Sequence, residues 1–449
     1  MKKTLMCGFT VLVAVMSVCG EIAETAWIKG TTDKCPLDYK TGETMVFTLE
    51  PKGLGGTPPA GAYFLQWTRT GDDGKTEAGK VSFDGKPFVY RTSLDRAGFV
   101  RLYAVVVDAK GVKFRKRFTG DATTPEGKAA MNRFEMQSKD LFFDGGAGVK
   151  IDTLKALPEP QDFDAFWARH KAALKAVPLT GVKEVKVDES AVCTVYSVTV
   201  PCAGPRPVTG YLSVPKRSDR KHPAVLSLHG YGEGKIHRPM PARNPGELWF
   251  DINAHGYELG REKEYYDAFY RSIRSNGFSY AFDPKENADP ETSYFCGMTY
   301  RVMRALEYLK SRADWNGKDL IATGGSQGGM QAIWAGGLDP DVTRVDTAIT
   351  WCCDMGGETL GRNRGTWYVH WVPALGYYDP VNVAKRIDPK KCFVNIVRAG
   401  LGDYVCPPSG LAILWNSLRG NKRILWVQGA EHGYVPPAYE GRDQEIRVK

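Results

Sequence analysis

The chain has 449 residues, of which 43% are hydrophobic and 25% charged, with a formal net charge of +9 and ten cysteines. That length leaves room for two domains, and the composition is that of an ordinary soluble protein. The positive excess is mild and unclustered, which argues for a solvated surface and against a nucleic-acid footprint.

The chain opens with Met1-Lys2-Lys3, continues through an apolar stretch from Leu5 to Val18 and reaches the small residues Cys19-Gly20. A basic start, a short apolar core and small residues predict a secretory signal peptide over residues 1–20, so the protein is expected to be exported. Cys19 leaves a lipid anchor open as the alternative, although Val18 is bulky for the position before a lipidated cysteine. No later stretch is long and apolar enough to predict a membrane span.

From residue 21 to about residue 150 the pattern is all-β. Strands are predicted at Met45–Leu49, Tyr63–Trp67, Lys80–Phe83, Phe88–Tyr90, Phe99–Val107 and Val112–Phe118, separated by turn signals such as Asp72-Asp73-Gly74 and Asp84-Gly85. Short alternating strands at this spacing suggest an immunoglobulin-like sandwich, with Trp67 as a core residue. Asp144-Gly-Gly-Ala-Gly148 and Pro158-Glu-Pro160 bracket the expected boundary. An amphipathic helix is expected from Asp162 to about Ala176.

From residue 151 to residue 449 strands and helices alternate. Strand-like runs at Cys193–Val200, Val208–Val214, His222–Leu228, Glu247–Ile252, Leu320–Ala322, Asp346–Trp351, Cys392–Val397 and Arg423–Val427 accompany a helical pattern at Tyr294–Ser311. This alternation predicts an α/β domain with a mostly parallel sheet covered on both faces. In such a sheet ligands bind beyond the carboxyl ends of the strands.

Gly324-Gly-Ser-Gln-Gly328 stands between a strand and a helix, with Ser326 at its apex. This Gly-x-Ser-x-Gly pattern is the nucleophile elbow of α/β-hydrolases, whose apical serine sits in a strained turn and needs small neighbours. A serine needs a base to take its proton as it attacks. In this fold the acid and then the histidine follow the serine. Two histidines remain, His370 in a Trp-rich loop and His432 after the last strand, and His432 is the expected base. For the acid, Asp403 lies in the rigid loop Gly402-Asp-Tyr-Val-Cys-Pro-Pro408, and Asp354 follows the preceding strand as the competitor. Asp379 has the setting of a turn former. The oxyanion donors are expected to be the backbone N–H groups of Gln327 and of Tyr231, in His229-Gly-Tyr-Gly232, with His229 structural. Eight cysteines lie after residue 20. Cys193 and Cys202 flank one strand and could be linked, but pairing is not readable from sequence, and the spacings match no zinc pattern.

Together with Asp162-Phe-Asp-Ala-Phe-Trp167, these motifs resemble the acetyl xylan esterase / cephalosporin C deacetylase family from about Pro158 to the C-terminus. The resemblance implies deacetylation of acetylated sugars through an acyl-serine, with Ser326, Asp403 and His432 as triad, Tyr231 and Gln327 as oxyanion donors, and neither metal nor organic cofactor. It departs from the family at Asn253-Ala-His-Gly256, where Arg-Gly-Gln is usual, and at His432, which Gly433 follows in place of Glu. The expected function is an exported acetylesterase acting on acetylated polysaccharides or oligosaccharides. A prolyl-oligopeptidase-like peptidase and an inactive glycan-binding protein are the alternatives. The peptidase's large propeller has no counterpart here, because the front region is too short and lacks blade repeats.

Overall fold

The computed structural model of the protein describes residues 22–135, 138–217, 219–232, 245–437 and 445–448; the leader and lipid-anchor expectations at residues 1–20 fall outside these ranges. The N-terminal part forms β1 (Trp27–Thr32), β2 (Met45–Lys52), β3 (Tyr63–Gly71), β4 (Glu77–Ser82), β5 (Phe88–Thr92), β6 (Gly98–Asp108) and β7 (Phe142–Val149), with helix α1 (Pro125–Glu135) before the last. Two antiparallel sheets result, ordered β1-β2-β5 and β4-β3-β6-β7. Along β2, Met45, Phe47 and Leu49 alternate inward while the residues between them stay half-exposed, as a two-residue side-chain period requires. These side chains share one core with Leu65, Leu102, Ala104 and Phe143 of the other sheet. Trp67 lies half-buried against it, its ring 4.6 Å from that of Tyr90.

Three local expectations change here. Val112–Phe118 is not a strand; it makes only isolated bridges, Val107 with Lys113 and Arg115 with Asp140. The segment before β7 includes the helix α1, which an all-β pattern does not anticipate. The Gly-rich run Asp144–Gly148 is the middle of β7, whose eight residues are all buried. Its glycines mark close backbone approach rather than a loop.

The rest of the chain builds a ten-stranded sheet ordered β17-β16-β15-β14-β13-β11-β12-β10-β9-β8. Its strands are β8 (Lys183–Glu189), β9 (Cys193–Val200), β10 (Val208–Pro215), β11 (His222–Leu228), β12 (Leu248–Ile252), β13 (Trp315–Gly325), β14 (Arg344–Ala348), β15 (Phe393–Gly400), β16 (Lys422–Val427) and β17 (Glu445–Val448). The pairings among β12, β11, β13, β14, β15 and β16 are parallel. Those at both margins are antiparallel, so the sheet is mixed.

Helices α2 (Phe163–Lys175), α3 (Lys263–Ser272), α4 (Pro284–Asn287), α5 (Tyr294–Ser311), α6 (Gln327–Leu338), α7 (Pro380–Ala384) and α8 (Pro408–Ser417) accompany it. The central strands bury Val225, Leu226, Leu320, Ala322, Val345, Val394 and Ile424, the near-continuous apolar runs of a sheet covered on both faces. Thirteen of the eighteen residues of α5 are buried, and α6 is buried on nearly every side. Cys202 is a free thiol, so the possible bridge to Cys193 does not form.

Candidate active site

Ser326 is the joint between β13 and α6, at φ 57° and ψ −121°. A non-glycine residue in that region costs on the order of 1–3 kcal/mol and persists only where its surroundings hold it. Here its N–H donates to Ala348 O at 2.9 Å, and its carbonyl accepts from Met330 N and Trp351 N, each at 3.1 Å. The flanking glycines are steric necessities. A Cβ on Gly328 would stand 2.0 Å from Leu228 O, and one on Gly324 would stand 2.5 Å from the Gly328 carbonyl carbon. The end of β11 therefore passes directly beneath the elbow.

That contact carries the loop after β11 to the serine. A Cβ on Gly230 would lie 3.7 Å from Gly325 O. The two residues expected to supply oxyanion donors are tied together by Tyr280, which sequence reading did not single out. The Tyr280 hydroxyl donates to Gln327 Oε1 at 2.8 Å and accepts from Gly232 N at 3.0 Å. The Tyr231 hydroxyl donates to Tyr280 O at 3.0 Å, and the two rings stack at 4.2 Å and 8°. Nothing in a lone Tyr between two helical segments announces this role.

The departure at Asn253–Gly256 has a local function. Asn253 Oδ1 accepts from the N–H groups of His255 and Gly256. Ala254 N then donates to His229 Nε2 at 3.0 Å, and His255 Nε2 donates to Gly232 O at 3.0 Å. His229 is thus a structural histidine, as expected. Burial lowers the pKa of both imidazoles, so they buttress the loop in the neutral form.

His432 and Asp403 come together at the ends of β16 and β15. Asp403 Oδ2 accepts from His432 Nδ1 at 3.0 Å, and its Oδ1 accepts from Val405 N and Cys406 N at 3.0 and 2.9 Å. The carboxylate is fully buried, whereas the imidazole side chain is 29% exposed. Because a carboxylate only accepts, the His432 proton sits on Nδ1 and Nε2 is left with its lone pair. The two loops touch through backbone: Gly402 N donates to Ala430 O at 3.0 Å, and a Cβ on Gly400 would lie 2.5 Å from that same oxygen.

The competitors are occupied elsewhere. Asp354 pairs with Arg362, and burial pushes its carboxyl up to about 7. Asp379 is the turn former that its sequence suggests, accepting from Val381 N, Asp354 N and Met355 N. His370 is exposed beside Tyr368.

Cys406 joins the group from the acid loop. Its thiol lies within 4.8 Å of ligand atoms of Asp403 and His432, and the Ser326 side chain is close enough to act on its acidity. Thiol, carboxylate and imidazole therefore share one small volume, and the thiol is the member nearest the serine elbow. Donor atoms of His170, Glu291 and Cys296 form a second such group. Burial pushes the Cys296 thiol up to about 11 and that of Cys406 well above its ordinary value.

Beside the acid loop lies a cavity of about 60 Å³ lined by Trp351, Asp354, Arg362, Trp367, Tyr404 and Val405, among others. Tyr231 meets Trp351, Trp367 and Phe282 edge to face at 5.2–5.5 Å, and Trp367 is 44% exposed. An aromatic surface thus opens beside the loop that carries Tyr231.

Residues 150–357 match the family acetyl xylan esterase (AXE1). Ser326, Gln327 and Tyr231 lie inside that segment, whereas Asp403 and His432 lie beyond it. A curated relative, acetyl esterase Axe7A of Xylanibacter ruminicola, is 32% identical over 292 residues, which are 61% of this chain and 63% of that protein. The match spans less than two thirds of the relative's length. Among solved structures, an acetyl xylan esterase from Paenibacillus sp. R4 superposes with a TM-score of 0.53 at 23% identity, over 63% of this chain and 93% of that one. Acetyl xylan esterase 1 from Thermoanaerobacterium sp. JW/SL YS485 gives 0.52 at 20% identity, over 63% and 92%. At these identities the structures carry the fold, which is that of the α/β-hydrolase esterases. The segment from residue 150 to residue 357, with its strand–serine–helix elbow, is thus similar to the acetyl xylan esterase family.

Proposed function

We propose that this chain is an exported serine esterase that removes acetyl groups from acetylated polysaccharides or oligosaccharides. The observation that carries the reading is the bond from His432 Nδ1 to a fully buried Asp403, on a loop whose Cys406 reaches the strained Ser326 elbow. In this reading Ser326 Oγ attacks the acetyl carbonyl while His432 Nε2 takes its proton. Asp403 holds the Nδ1–H tautomer and stabilises the imidazolium that forms. The backbone N–H groups of Tyr231 and Gln327 receive the oxyanion, and each such donor contributes about 3–4 kcal/mol of transition-state stabilisation. The N-terminus of α6 adds its partial positive charge at that point. His432 then returns the proton to the departing sugar hydroxyl. Water, deprotonated by the same nitrogen, cleaves the acetyl-serine and releases acetate.

A sugar ring suits the exposed face of Trp367 and the aromatic cluster around Tyr231, because flat apolar faces stack on aromatic side chains. The reading includes a leader at residues 1–20, an immunoglobulin-like sandwich at 21–150 and the catalytic domain at 151–449. The apolar core shared by the two N-terminal sheets supports that division.

The test is acetate release from a panel of acetylated oligosaccharides, with p-nitrophenyl acetate and a chromogenic dipeptide anilide as controls. Acetate release and ester hydrolysis without anilide cleavage are expected, and both are lost in Ser326→Ala. Unchanged turnover by Ser326→Ala refutes the mechanism, and anilide cleavage moves the protein to the peptidases.

A further inference from the structure

We propose that the N-terminal sheet is part of the catalytic apparatus, with Gln428, Arg101 and Asp144 as positioning residues that set the His432–Asp403 geometry. The proposal rests on the esterase reading for its kinetic consequences, but its geometric core can be tested apart from any substrate.

Strand β7 lies across both functional loops. A Cβ on Gly402, the residue before Asp403, would stand 2.0 Å from Asp144 O. One on Gly146 would stand 3.0 Å from Leu401 O. These are backbone-to-backbone approaches, with no side chain between to absorb a shift. On the histidine side, the Gln428 amide copies a peptide group. Its Oε1 accepts from Gly146 N at 3.0 Å, and its Nε2 donates to Gly146 O at 2.9 Å. Gln428 follows the last residue of β16 and is four residues before His432. Tyr434, two residues beyond His432, packs its ring 5.0 Å from that of Phe142 at the other end of β7. One strand therefore fixes the acid loop and both ends of the histidine loop.

An ion pair locks that strand in turn. Arg101 on β6 donates from Nε and Nη2 to the two oxygens of the buried Asp144 at 2.8 and 2.5 Å. Its guanidinium also lies 4.4 Å above the ring of Tyr404, the neighbour of Asp403. A forked pair of this kind fixes direction as well as distance. Asp144 is thus held by Arg101 on one side and abuts the acid loop on the other. Misplacement of a reacting group by about 1 Å costs on the order of a hundredfold in rate, so a contact that fixes two loops against each other acts on kcat without touching substrate.

The experiment compares the full chain with Gln428→Leu, which keeps the volume and removes both amide bonds, and with Arg101→Met and Arg101→Lys. Val89→Ser, an exposed change on β5, is the control. Three quantities are read: kcat and KM for p-nitrophenyl acetate, the low-field proton resonance of His432 Nδ1–H, assigned by its loss in His432→Gln, and the thermal unfolding midpoint. Gln428→Leu and Arg101→Met are expected to unfold cooperatively and to lose about ten- to a hundredfold in kcat. KM should change less than twofold, and the resonance should shift or vanish. Arg101→Lys should recover part of kcat, and Val89→Ser should match the parent.

Folded Gln428→Leu and Arg101→Met proteins with the parent's kcat and resonance overturn the proposal. Where either fails to fold, Gln428→Glu, which keeps the acceptor and loses the donor, is judged by the same criteria. A parent without esterase activity but with the resonance would refute the function, not this proposal, which the resonance then decides alone.

Discussion

Asp403→Asn separates a catalytic carboxylate from a structural one. Asp403 accepts three hydrogen bonds, two from the N–H groups of Val405 and Cys406 and one from His432 Nδ1. An asparagine has one acceptor oxygen and one donor nitrogen. If its nitrogen faced the two backbone N–H groups, two buried donors would be left unmade, at about 1–3 kcal/mol each. The oxygen therefore stays on the backbone and the NH₂ group turns toward His432. The imidazole must then accept at Nδ1, so its proton moves to Nε2, the nitrogen required to take the proton of Ser326. Inversion of the tautomer in such a triad lowers kcat by about ten-thousandfold, or about 5.5 kcal/mol. Stability should move by less than about 1 kcal/mol, because the two backbone bonds survive.

The assay is kcat for p-nitrophenyl acetate with thermal unfolding in parallel. Asp354→Asn is the comparison: its carboxyl serves Arg362, and its kcat should stay within about threefold of the parent, under ~0.7 kcal/mol. A folded Asp403→Asn enzyme within about tenfold of the parent refutes the assignment, since ~1.4 kcal/mol is too little for a lost triad member.

Tyr280→Phe removes the hydroxyl that joins Gln327 to Gly232. Leaving the buried Gln327 oxygen unpaired should cost about 1–3 kcal/mol in chemical unfolding, and kcat/KM should fall as the oxyanion donors loosen; parent-like values for both would rule out the bridge. The pH prediction concerns Asp379, which burial raises to about 6 despite its three backbone donors and Lys385. Against an unfolded value of 3.8, the folded state holds the extra proton between about pH 4 and 6. Stability therefore falls as pH rises through that window and is level above it, by about 3 kcal/mol from this group. Urea unfolding across pH 4–7.5 should show that decline shallower in Asp379→Asn, and an unchanged slope would refute the reading.

Much of the α/β part is legible because its signals are local. The run from His222 to Leu228 is apolar and bounded, and Tyr294–Ser311 carries helical periodicity, so both form where the pattern places them. Ser326 was legible because glycines at fixed offsets encode a backbone conformation. Its rigid Pro-Pro loop favours Asp403 over Asp354 in the sequence, but each follows a strand, and it is the loop geometry that brings Asp403 to His432. The N-terminal part reads less well. Val112–Phe118 alternates like a strand, yet β6 already pairs with β3 and β7 along its length, which leaves the run only isolated bridges. Gly145 and Gly146 look like a linker because neighbours that require them, Gln428 and Leu401, lie hundreds of residues away. Tyr280 and Gln428 were silent for the same reason: a single polar side chain has no period, and its partner is set by tertiary contact.

The distances across the sheet say why such contacts matter. The serine follows β13, the acid β15 and the histidine β16, with β14 between β13 and β15. At ~4.8 Å per strand, the serine and histidine strands are about 14 Å apart, so the loops must converge over the strand that contributes no member of the proposed triad. The residues after β14 fill that gap with backbone bonds. Ala348 O takes Ser326 N, Trp351 N returns to Ser326 O, and Ile349 N reaches Arg398 O on β15. Arg398 then donates from Nη2 to His432 O at 3.2 Å. A chain of short bonds thus runs from Ser326 to His432 without passing through a flexible side chain until its last link. The His432–Asp403 bond can be short only if the backbones beneath it are already in place, which locates the precision of the proposed site in glycines and loop amides more than in the three side chains themselves.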